Sequence, residues 1–272
     1  MTRAGRTLGL AVTTLCLAVL GCGEGATEPD SAFDERPGPD NTGPTNTAVL
    51  EPMTNDEVEA AMEAGTTLFE DVYITGTVYI LADDVTFRNF VLDANGGHYA
   101  FRNCYSSDPC HSGLVLEDGE VFNFRSAAIV ASNYRATRLN VHESQGDAFK
   151  VLGDNVVIEG SWFHHLGRSE GAHADGVQSQ SDGATNVVIR GNHCDIPVPP
   201  PSGYKSNACW LGGVGDALIQ GNWLNGGNYT VYCNDGIDLV DNRFGRDYRY
   251  GTITGICRTN SGNVWDDSGE PL

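Results

Sequence analysis

The nonapeptide "NVVIRGNHC" (186–194) recurs in altered form along the chain, and this repeat decides the fold. The fourth residue of each copy is Phe, Ile or Leu, and the sixth and seventh residues are mostly Gly or Asn. Self-similarity with a period of about 20 to 50 residues is typical of proteins built from stacked repeats. Four further copies align with it without gaps: "DVTFRNFVL" (84–92), "NVVIEGSWF" (155–163), "DALIQGNWL" (216–224) and "GIDLVDNRF" (236–244).

The chain around these copies predicts short strands rather than helices. Apolar positions alternate, and Gly, Asn and Asp mark the turns, so we predict an all-β, parallel β-helix solenoid. One helix is expected in "TNDEVEAAMEAG" (54–65), because Thr54 and Glu57 form a capping-box pattern and Gly65 suits a C-cap. This helix would cover the N-terminal end of the solenoid, whose open strand edge would otherwise aggregate.

A second strand aligns within each turn of the predicted solenoid. Its central apolar residue should point inward, and the next residue should point outward. The outward row would carry a Lys, a Gln and two aromatic residues. Such a row suits a glycan, because aromatic rings stack on sugar faces and polar groups bond hydroxyls, although an ordinary solvated surface fits as well. The predicted inward residues are Ile129, Phe149, Val177, Cys209 and Val231, and the outward residues are Val130, Lys150, Gln178, Trp210 and Tyr232.

The first fifty residues resemble an export signal followed by a tether. Arg3 and Arg6 precede an apolar run that is too short to span a bilayer. The motif "LAVLGC" (17–22) looks like a bacterial lipobox, which implies removal of residues 1–21 and lipidation of Cys22; an ordinary secretory signal is the alternative. Residues 22–50 are rich in Pro and acidic residues and predict a disordered tether. Residues 51–272 would then form one domain, lipid-anchored in the cell envelope, at the outer membrane or cell surface.

The charge of the mature chain restricts its partners. Removal of residues 1–21 leaves 14 basic and 36 acidic residues, a net charge of −22. Nucleic acid is therefore not expected as a partner, because its phosphates require a basic surface. A polyanionic substrate would require a local basic patch.

The cysteine count indicates disulfides. Six cysteines remain when Cys16 and Cys22 are set aside, and an even number is typical of exported proteins. Fifteen pairings of six cysteines exist, and the simplest joins neighbours along the chain. That pairing is Cys104–Cys110, Cys194–Cys209 and Cys233–Cys257.

Several segments resemble right-handed parallel β-helix proteins of the pectate lyase-like superfamily, and in particular secreted bacterial β-helix repeat proteins without settled function. The similarity covers most of residues 84–272. It implies a single-stranded right-handed β-helix and a carbohydrate-related role, since the superfamily includes polysaccharide lyases, glycoside hydrolases, epimerases and phage tailspikes. Proteins of this group often have Asp at the position of His165. The segments that carry the resemblance are "GDAFKV" (146–151), "HADGVQS" (173–179), "NVVIRGN" (186–192), "GNYTVYC" (227–233) and the tail from "NRFGRDYRYG" (242–251) to "SGNVWDDSGEP" (261–271).

Two aspartates occupy matching places on adjacent turns. Asp147 and Asp175 each begin the second strand of a turn, so their backbones should lie about 5 Å apart. They are either turn residues that bond backbone N–H groups or a carboxylate pair. A pair could divide acid and base roles, or bind a cation such as calcium.

A loop rich in polar residues, "HHLGRSEGAHA" (164–174), should lie beside Lys150 and Gln178. His173 could act as acid or base, and Arg168 could pair with a substrate carboxylate or with Glu170. His165, Glu170, Gln178, Trp210 and Tyr232 complete the candidate substrate-binding set.

Lys150 favours a polysaccharide lyase. The resemblance implies that Lys or Arg abstracts the proton beside a uronate carboxyl, and Arg168 and His173 would assist. Asp147, Asp175, Glu143 and Glu170 would instead serve a glycoside hydrolase. A non-catalytic glycan-binding or adhesive surface protein is the alternative to both.

Overall fold

The computed structural model describes residues 35–103, 110–168, 172–197 and 206–272. Within these ranges the chain is all-β, with mostly parallel strands and a single α-helix. No helix within the described ranges is long and apolar enough to cross a membrane. Residues 1–34, including the predicted signal and Cys22, lie outside the described residues.

The N-terminal part contains the helix and the longest strands. Thr54 and Glu57 form the expected capping box, and Val58 and Met62 of the helix are buried. A 3-10 turn at Thr47–Val49 precedes them. The elements are β1 (Glu51–Thr54), α1 (Asn55–Glu63), β2 (Leu68–Thr75), β3 (Val78–Tyr79), β4 (Thr86–Asp93), β5 (Tyr99–Arg102) and β6 (Leu114–Phe122).

The remaining strands are shorter and follow one another in threes. They are β7 (Ala127–Ala131), β8 (Tyr134–Thr137), β9 (Asn140–His142), β10 (Asp147–Val151), β11 (Val156–Glu159), β12 (Trp162–His164), β13 (Ala174–Ser179), β14 (Val187–Arg190), β15 (His193–Ile196), β16 (Ser206–Leu211), β17 (Ala217–Gln220), β18 (Trp223–Gly226), β19 (Tyr229–Cys233), β20 (Ile237–Val240), β21 (Arg243–Phe244), β22 (Gly251–Gly255), β23 (Thr259–Ser261) and β24 (Val264–Trp265).

Every third strand pairs with its equivalent in the next repeat. One sheet of eight strands runs in the order β3-β5-β7-β10-β13-β16-β19-β22. A second sheet of 16 strands divides at β6, whose first half pairs with β8 and whose second half pairs with β9. One branch continues β8-β11-β14-β17-β20-β23, and the other continues β9-β12-β15-β18-β21-β24.

The register of the first branch confirms the alignment of the repeated nonapeptides. Ile158 pairs with Ile189, Ile189 with Ile219, and Ile219 with Leu239, all in parallel. These fourth-position side chains are at most 3% exposed and belong to one continuous hydrophobic core. Burial of this row explains why the repeat requires a large aliphatic residue at its fourth position.

The sixth and seventh positions of the repeat have separate structural reasons. The sixth residue has a positive φ in every copy, between 47° and 64° for Asn89, Gly160, Gly191, Gly221 and Asp241. This left-handed backbone favours Gly, Asn and Asp over other residues.

The seventh residue of the last copies forms a buried ladder. Asn192, Asn222 and Asn242 are fully buried. Each side-chain oxygen accepts the backbone N–H of the repeat before it: Asn222 Oδ1 from Asn192 N at 2.8 Å and Asn242 Oδ1 from Asn222 N at 3.0 Å. The ladder ends on Ser161, whose N–H donates to Asn192 Oδ1 at 2.9 Å. The side chains therefore satisfy turn N–H groups that would otherwise be buried without partners.

Two of the predicted disulfides are confirmed. Cys194 pairs with Cys209, and Cys233 pairs with Cys257. Cys104 lies outside the described residues, so the Cys104–Cys110 pairing stays a prediction.

Residues 35–50 differ from the disordered tether expected through residue 50. His193 Nδ1 donates to the Pro37 carbonyl oxygen at 2.9 Å, and Asn46 N donates to Asn89 Oδ1 at 3.0 Å. Arg36 forms a two-pronged ion pair with Asp266. Composition alone did not reveal these contacts, because their partners lie far away in the sequence.

Candidate functional site

The two predicted aspartates and Lys150 lie together at the start of β10 and β13. Lys150 Nζ is 3.2 Å from Asp147 Oδ2. The other oxygen of the same carboxylate, Oδ1, accepts the backbone N–H of Asp175 at 2.8 Å. Asp147 therefore bonds a backbone N–H of the next repeat, which is the first of the two roles considered from the sequence, and it also pairs with Lys150.

Asp175 is the most deeply buried acid of the group, with 1% of its surface exposed. Burial raises the pKa of Asp175 well above its ordinary value, and the neighbouring charge of Asp147 raises it further. Gln178 Nε2 lies 3.4 Å from Asp175 Oδ2, which brings a third predicted residue to the cluster. We expect Asp175 to keep its proton to a higher pH than an exposed Asp does.

Asp147 differs from Asp175 in its electrostatic surroundings. Burial raises the pKa of Asp147, while the charge of Lys150, the N–H of Asp175 and the charge of His173 oppose that rise. His173 is therefore close enough to Asp147 to affect its pKa. The opposing contributions keep the pKa of Asp147 below that of Asp175. The two environments thus separate the pKa values of the two carboxyls, and such a separation allows one to act as acid and the other as base.

Access to solvent differs between the acids and the amine. The side chain of Asp147 is 4% exposed, whereas that of Lys150 is 14% exposed. His173 is exposed and Tyr232 is half-buried. Burial of the Tyr232 ring raises its pKa, with a smaller contribution from Asp175. The groups that a ligand could touch are therefore Lys150, His173, Gln178 and Tyr232, with the carboxyls behind them.

A group of basic residues continues this surface toward the N-terminus. Lys150 pairs in register with Val130, and Val130 pairs with Arg102 on β5. His98 has a lowered pKa, first because of partial burial and then because of the positive charges of Arg125, Lys150 and Arg102. These four residues, His98, Arg102, Arg125 and Lys150, form what we call the basic strip. The lowered pKa of His98 leaves its imidazole neutral, and Lys150 is paired with Asp147, so Arg102 and Arg125 carry the positive charge of the strip. A polyanionic ligand requires such a local positive charge on an acidic chain.

Trp210 does not belong to the outward row, and that prediction is wrong. The ring is 2% exposed, and its Nε1 donates to the Gly212 carbonyl oxygen at 3.2 Å. Trp210 pairs with Val177 and Val231, which are inward residues. An irregularity in the pairing between Ala174 and Asp175 shifts the register by one residue, and a one-residue shift turns a side chain to the other face.

Arg168 and His165 both contact Glu143. Arg168 forms an ion pair with Glu143, and its backbone N donates to the Ser144 carbonyl oxygen at 3.0 Å. His165 Nδ1 lies 3.7 Å from Glu143 Oε1 and 2.6 Å from His164 Nδ1. These contacts connect both residues to Glu143, whereas Glu170, the expected partner of Arg168, lies outside the described residues.

The calcium site considered at Asp147 and Asp175 finds no support in this geometry. Within the described residues, no group of three or more His, Cys, Asp or Glu could hold a metal ion. The ammonium of Lys150 lies where a cation would bind Asp147, and calcium needs six to eight oxygen ligands.

Sequence reasoning missed the basic strip except for Lys150. His98 and Arg102 come from a part of the chain with no aligned second strand in the repeat pattern, and Arg125 lies directly before the first aligned one. The pairing of β5 with β7 is the signal that joins them to Lys150. Extension of the second-strand alignment to "YAFR" (99–102) would have found Arg102 in register with Lys150.

No protein-family model, curated protein or solved structure matches this chain.

Proposed function

We propose that the chain is an exported lipoprotein of the cell envelope whose domain, residues 51–272, is a single-stranded right-handed parallel β-helix that acts on polysaccharide. The three rows of parallel strands, with one strand of each row per repeat, support the solenoid. In this arrangement α1 covers the N-terminal end, where Val58 and Met62 pack into the core. The lipid on Cys22 would be the only attachment to the membrane.

The proposed reaction is β-elimination on a uronate-containing polymer. The observation that carries this proposal is the 3.2 Å contact of Lys150 with Asp147 beside the basic strip. The uronate carboxylate binds the guanidinium groups of Arg102 and Arg125 in the basic strip, which makes the proton on the adjacent carbon more acidic. The partner is a glycan rather than nucleic acid, because the chain as a whole is strongly acidic.

Lys150 is the base in this scheme. An amine accepts a proton only in its neutral form, so the scheme requires the neutral form of Lys150. The contact with Asp147 at 3.2 Å holds the Lys150 Nζ in place. Neutral Lys150 then removes the proton from C5, the C4–C5 double bond forms, and the C4–O bond breaks. The departing oxygen takes a proton from His173 or Tyr232, which belong to the accessible part of the cluster.

A glycoside hydrolase is the second candidate. The paired carboxyls Asp147 and Asp175, with differing proton affinities, favour it. Asp147 and Asp175 are at most 3% exposed as residues, however, whereas the Lys150 side chain is the more accessible group. Direct attack by Asp147 on a sugar would require movement of Lys150, so the lyase is the better fit to the geometry.

A polysaccharide panel with two readouts tests the proposal. Ultraviolet absorbance of unsaturated uronate products, together with new reducing ends, indicates a lyase. Reducing ends without that absorbance indicate a hydrolase and contradict the role of Lys150. Retained glycan binding with neither product indicates the non-catalytic alternative.

A further inference from the structure

A second concave surface lies on the 16-stranded sheet, in the branch of β15, β18 and β21. It is a half-open cavity of about 450 Å³, within the range of about 300 to 1,000 Å³ that small-molecule sites occupy. We call it the C-terminal pocket. Its lining is drawn from the three strands, the chain after β15 and β21, Asp266 after β24, and the N-terminal segment.

Trp223 forms the aromatic wall of the C-terminal pocket. It pairs in register with His193 on one side and with Arg243 on the other. The guanidinium of Arg36 lies 5.7 Å from the centre of the Trp223 ring, which leaves the ring half-buried. A flat, half-exposed indole within a polar cavity is the surface on which the apolar face of a sugar ring stacks.

A network of amide and carboxylate groups lies next to this wall. Asn225 Nδ2 donates to Asp195 Oδ1 at 3.0 Å and to Asp247 Oδ2 at 3.1 Å. The N–H of Asp247 donates back to Asn225 Oδ1 at 3.2 Å. Gly245 is required beside it, since a Cβ there would collide with the Asn225 amide oxygen. Asn225 thus fixes the two carboxylates in place, and Asp195 Oδ2 and Asp247 Oδ1 remain as acceptors for ligand hydroxyls.

The charges of the pocket are balanced. Three arginines and three aspartates line it: Arg36, Arg243, Arg246, Asp195, Asp247 and Asp266. Arg36 is neutralised by Asp266 through bonds of 2.6 and 2.5 Å. Arg246 lies 3.9 Å above the Trp265 ring and pairs with Asp267 through bonds of 2.7 and 3.0 Å.

This balance selects the class of ligand. An anion would meet Asp195 and Asp247, and a cation would meet Arg243, since Arg36 and Arg246 are paired with Asp266 and Asp267. An apolar ligand would separate these polar groups from water without replacing their hydrogen bonds, which costs free energy. A neutral molecule with many hydroxyls satisfies donors and acceptors alike and stacks on Trp223.

We propose that the C-terminal pocket binds a neutral saccharide unit, with Trp223 as the stacking platform, Asp195 and Asp247 as hydroxyl acceptors and Arg243 as a donor. This site is separate from the Lys150 cluster, which lies on β10 of the eight-stranded sheet. It goes beyond the proposed lyase activity, because it recognises neutral sugars whether or not the Lys150 cluster cleaves uronates. A chain with both sites would hold a mixed polysaccharide at two places.

Calorimetric titration with neutral oligosaccharides tests the proposal. The probes are cello-, manno-, xylo- and galacto-oligosaccharides, and oligogalacturonate is the acidic comparison. The test variants are Trp223→Ala, which removes the aromatic wall, and Asp247→Asn, which alters one of the hydroxyl acceptors. The controls are Lys150→Ala, in the other cluster, and Arg88→Ala, an exposed residue of β4.

The expected result is saturable binding of at least one neutral probe by the wild-type protein. Trp223→Ala and Asp247→Asn should each weaken that binding at least about tenfold, equivalent to about 1.4 kcal/mol, and both controls should leave it unchanged. A circular dichroism spectrum like that of the wild type verifies the fold of each variant, and Asp247→Asn covers the case in which Trp223→Ala fails to fold.

Three outcomes overturn the proposal: no neutral probe binds, only oligogalacturonate binds, or both pocket variants bind as the wild type does. Loss of uronate cleavage in Lys150→Ala with retained neutral-sugar binding supports both sites. Failure of cleavage in the wild type, with neutral-sugar binding that depends on Trp223, contradicts the lyase and leaves the pocket standing.

Discussion

Lys150 Nζ lies 3.2 Å from Asp147 Oδ2, although the two residues are three apart in one strand. In a regular strand, residues at that spacing point to opposite faces. Asp147 is the first residue of β10, so its side chain is free of that alternation and can turn toward the outer face. The contact therefore holds the Lys150 amine, which is 14% exposed, against a carboxylate that is 4% exposed.

Asp175→Asn should stabilise the protein at neutral and alkaline pH. Because burial raises the folded pKa of Asp175 above its unfolded value, the fold disfavours the ionised carboxyl. Its contribution to stability is complete below the unfolded pKa of about 3.9 and declines as pH rises toward the folded pKa, by about 1.4 kcal/mol per unit. Urea unfolding at about pH 4 and pH 8 should show that Asp175→Asn has a higher unfolding free energy than the wild type, and the difference should be larger at pH 8. Asp182→Asn, at an exposed site, is the control, and an equal effect at both pH values would contradict the buried charge.

His164→Gln should reduce the sensitivity of the fold to acid. Burial, assisted by the charges of His142, His165 and His193, lowers the pKa of His164 to about 3. The unfolded chain takes up this proton below about pH 6.5 and the folded chain does not, so stability falls as pH decreases from 6.5 toward 3. The variant should lose less unfolding free energy than the wild type between about pH 7 and pH 4.5. If both proteins lost the same unfolding free energy over this pH range, His164 would not be the acid-sensitive group.

Asn222→Ala should destabilise the fold through the buried ladder. The substitution removes the acceptor of the Asn192 N–H and the donor to the Ile189 carbonyl oxygen. A buried polar group without a partner costs about 1 to 3 kcal/mol, so a loss of about 2 to 5 kcal/mol is expected by urea unfolding. Asn260→Ala, at an exposed position of β23, removes one acceptor of the Asn263 side chain at the edge of the ladder and should cost much less. A loss below about 1 kcal/mol for Asn222→Ala would contradict the ladder.

Trp210→Ala distinguishes the structure from the outward row predicted from the sequence. A buried Trp truncated to Ala costs about 3 to 5 kcal/mol, whereas an outward Trp would cost little stability and would affect ligand binding alone. Tyr250→Ala, whose ring is 58% exposed, should leave the unfolding free energy nearly unchanged. Equal unfolding midpoints for the two variants would restore the outward assignment of Trp210.

The repeat predicted most of the strand pairing, because its constraints are local. The aliphatic fourth position, the left-handed sixth position and the buried Asn at the seventh position are each visible in the residue types. The Trp210 position could not be predicted, because a one-residue irregularity beside Asp175 leaves no mark in the sequence.

Contacts between distant segments were the other limit. The segment at residues 35–50 has the composition of a tether, yet Arg36 pairs with Asp266 across 230 residues of sequence. The Lys150 cluster was predicted because its strands are adjacent repeats. The C-terminal pocket was not, because Arg36, Trp223 and Asp266 are brought together only by the fold.

The most direct test of the proposed lyase measures unsaturated uronate released from polygalacturonate, alginate and other uronate polymers by the wild type, Lys150→Ala and Arg88→Ala. The wild type and Arg88→Ala, whose altered side chain lies on the other sheet, should release product at similar rates from at least one polymer. Lys150→Ala should be at least about a hundredfold slower, since a positioned base contributes about 10² to 10⁴ in rate. Full activity of Lys150→Ala, or no unsaturated product from any polymer with the wild type, would contradict the account.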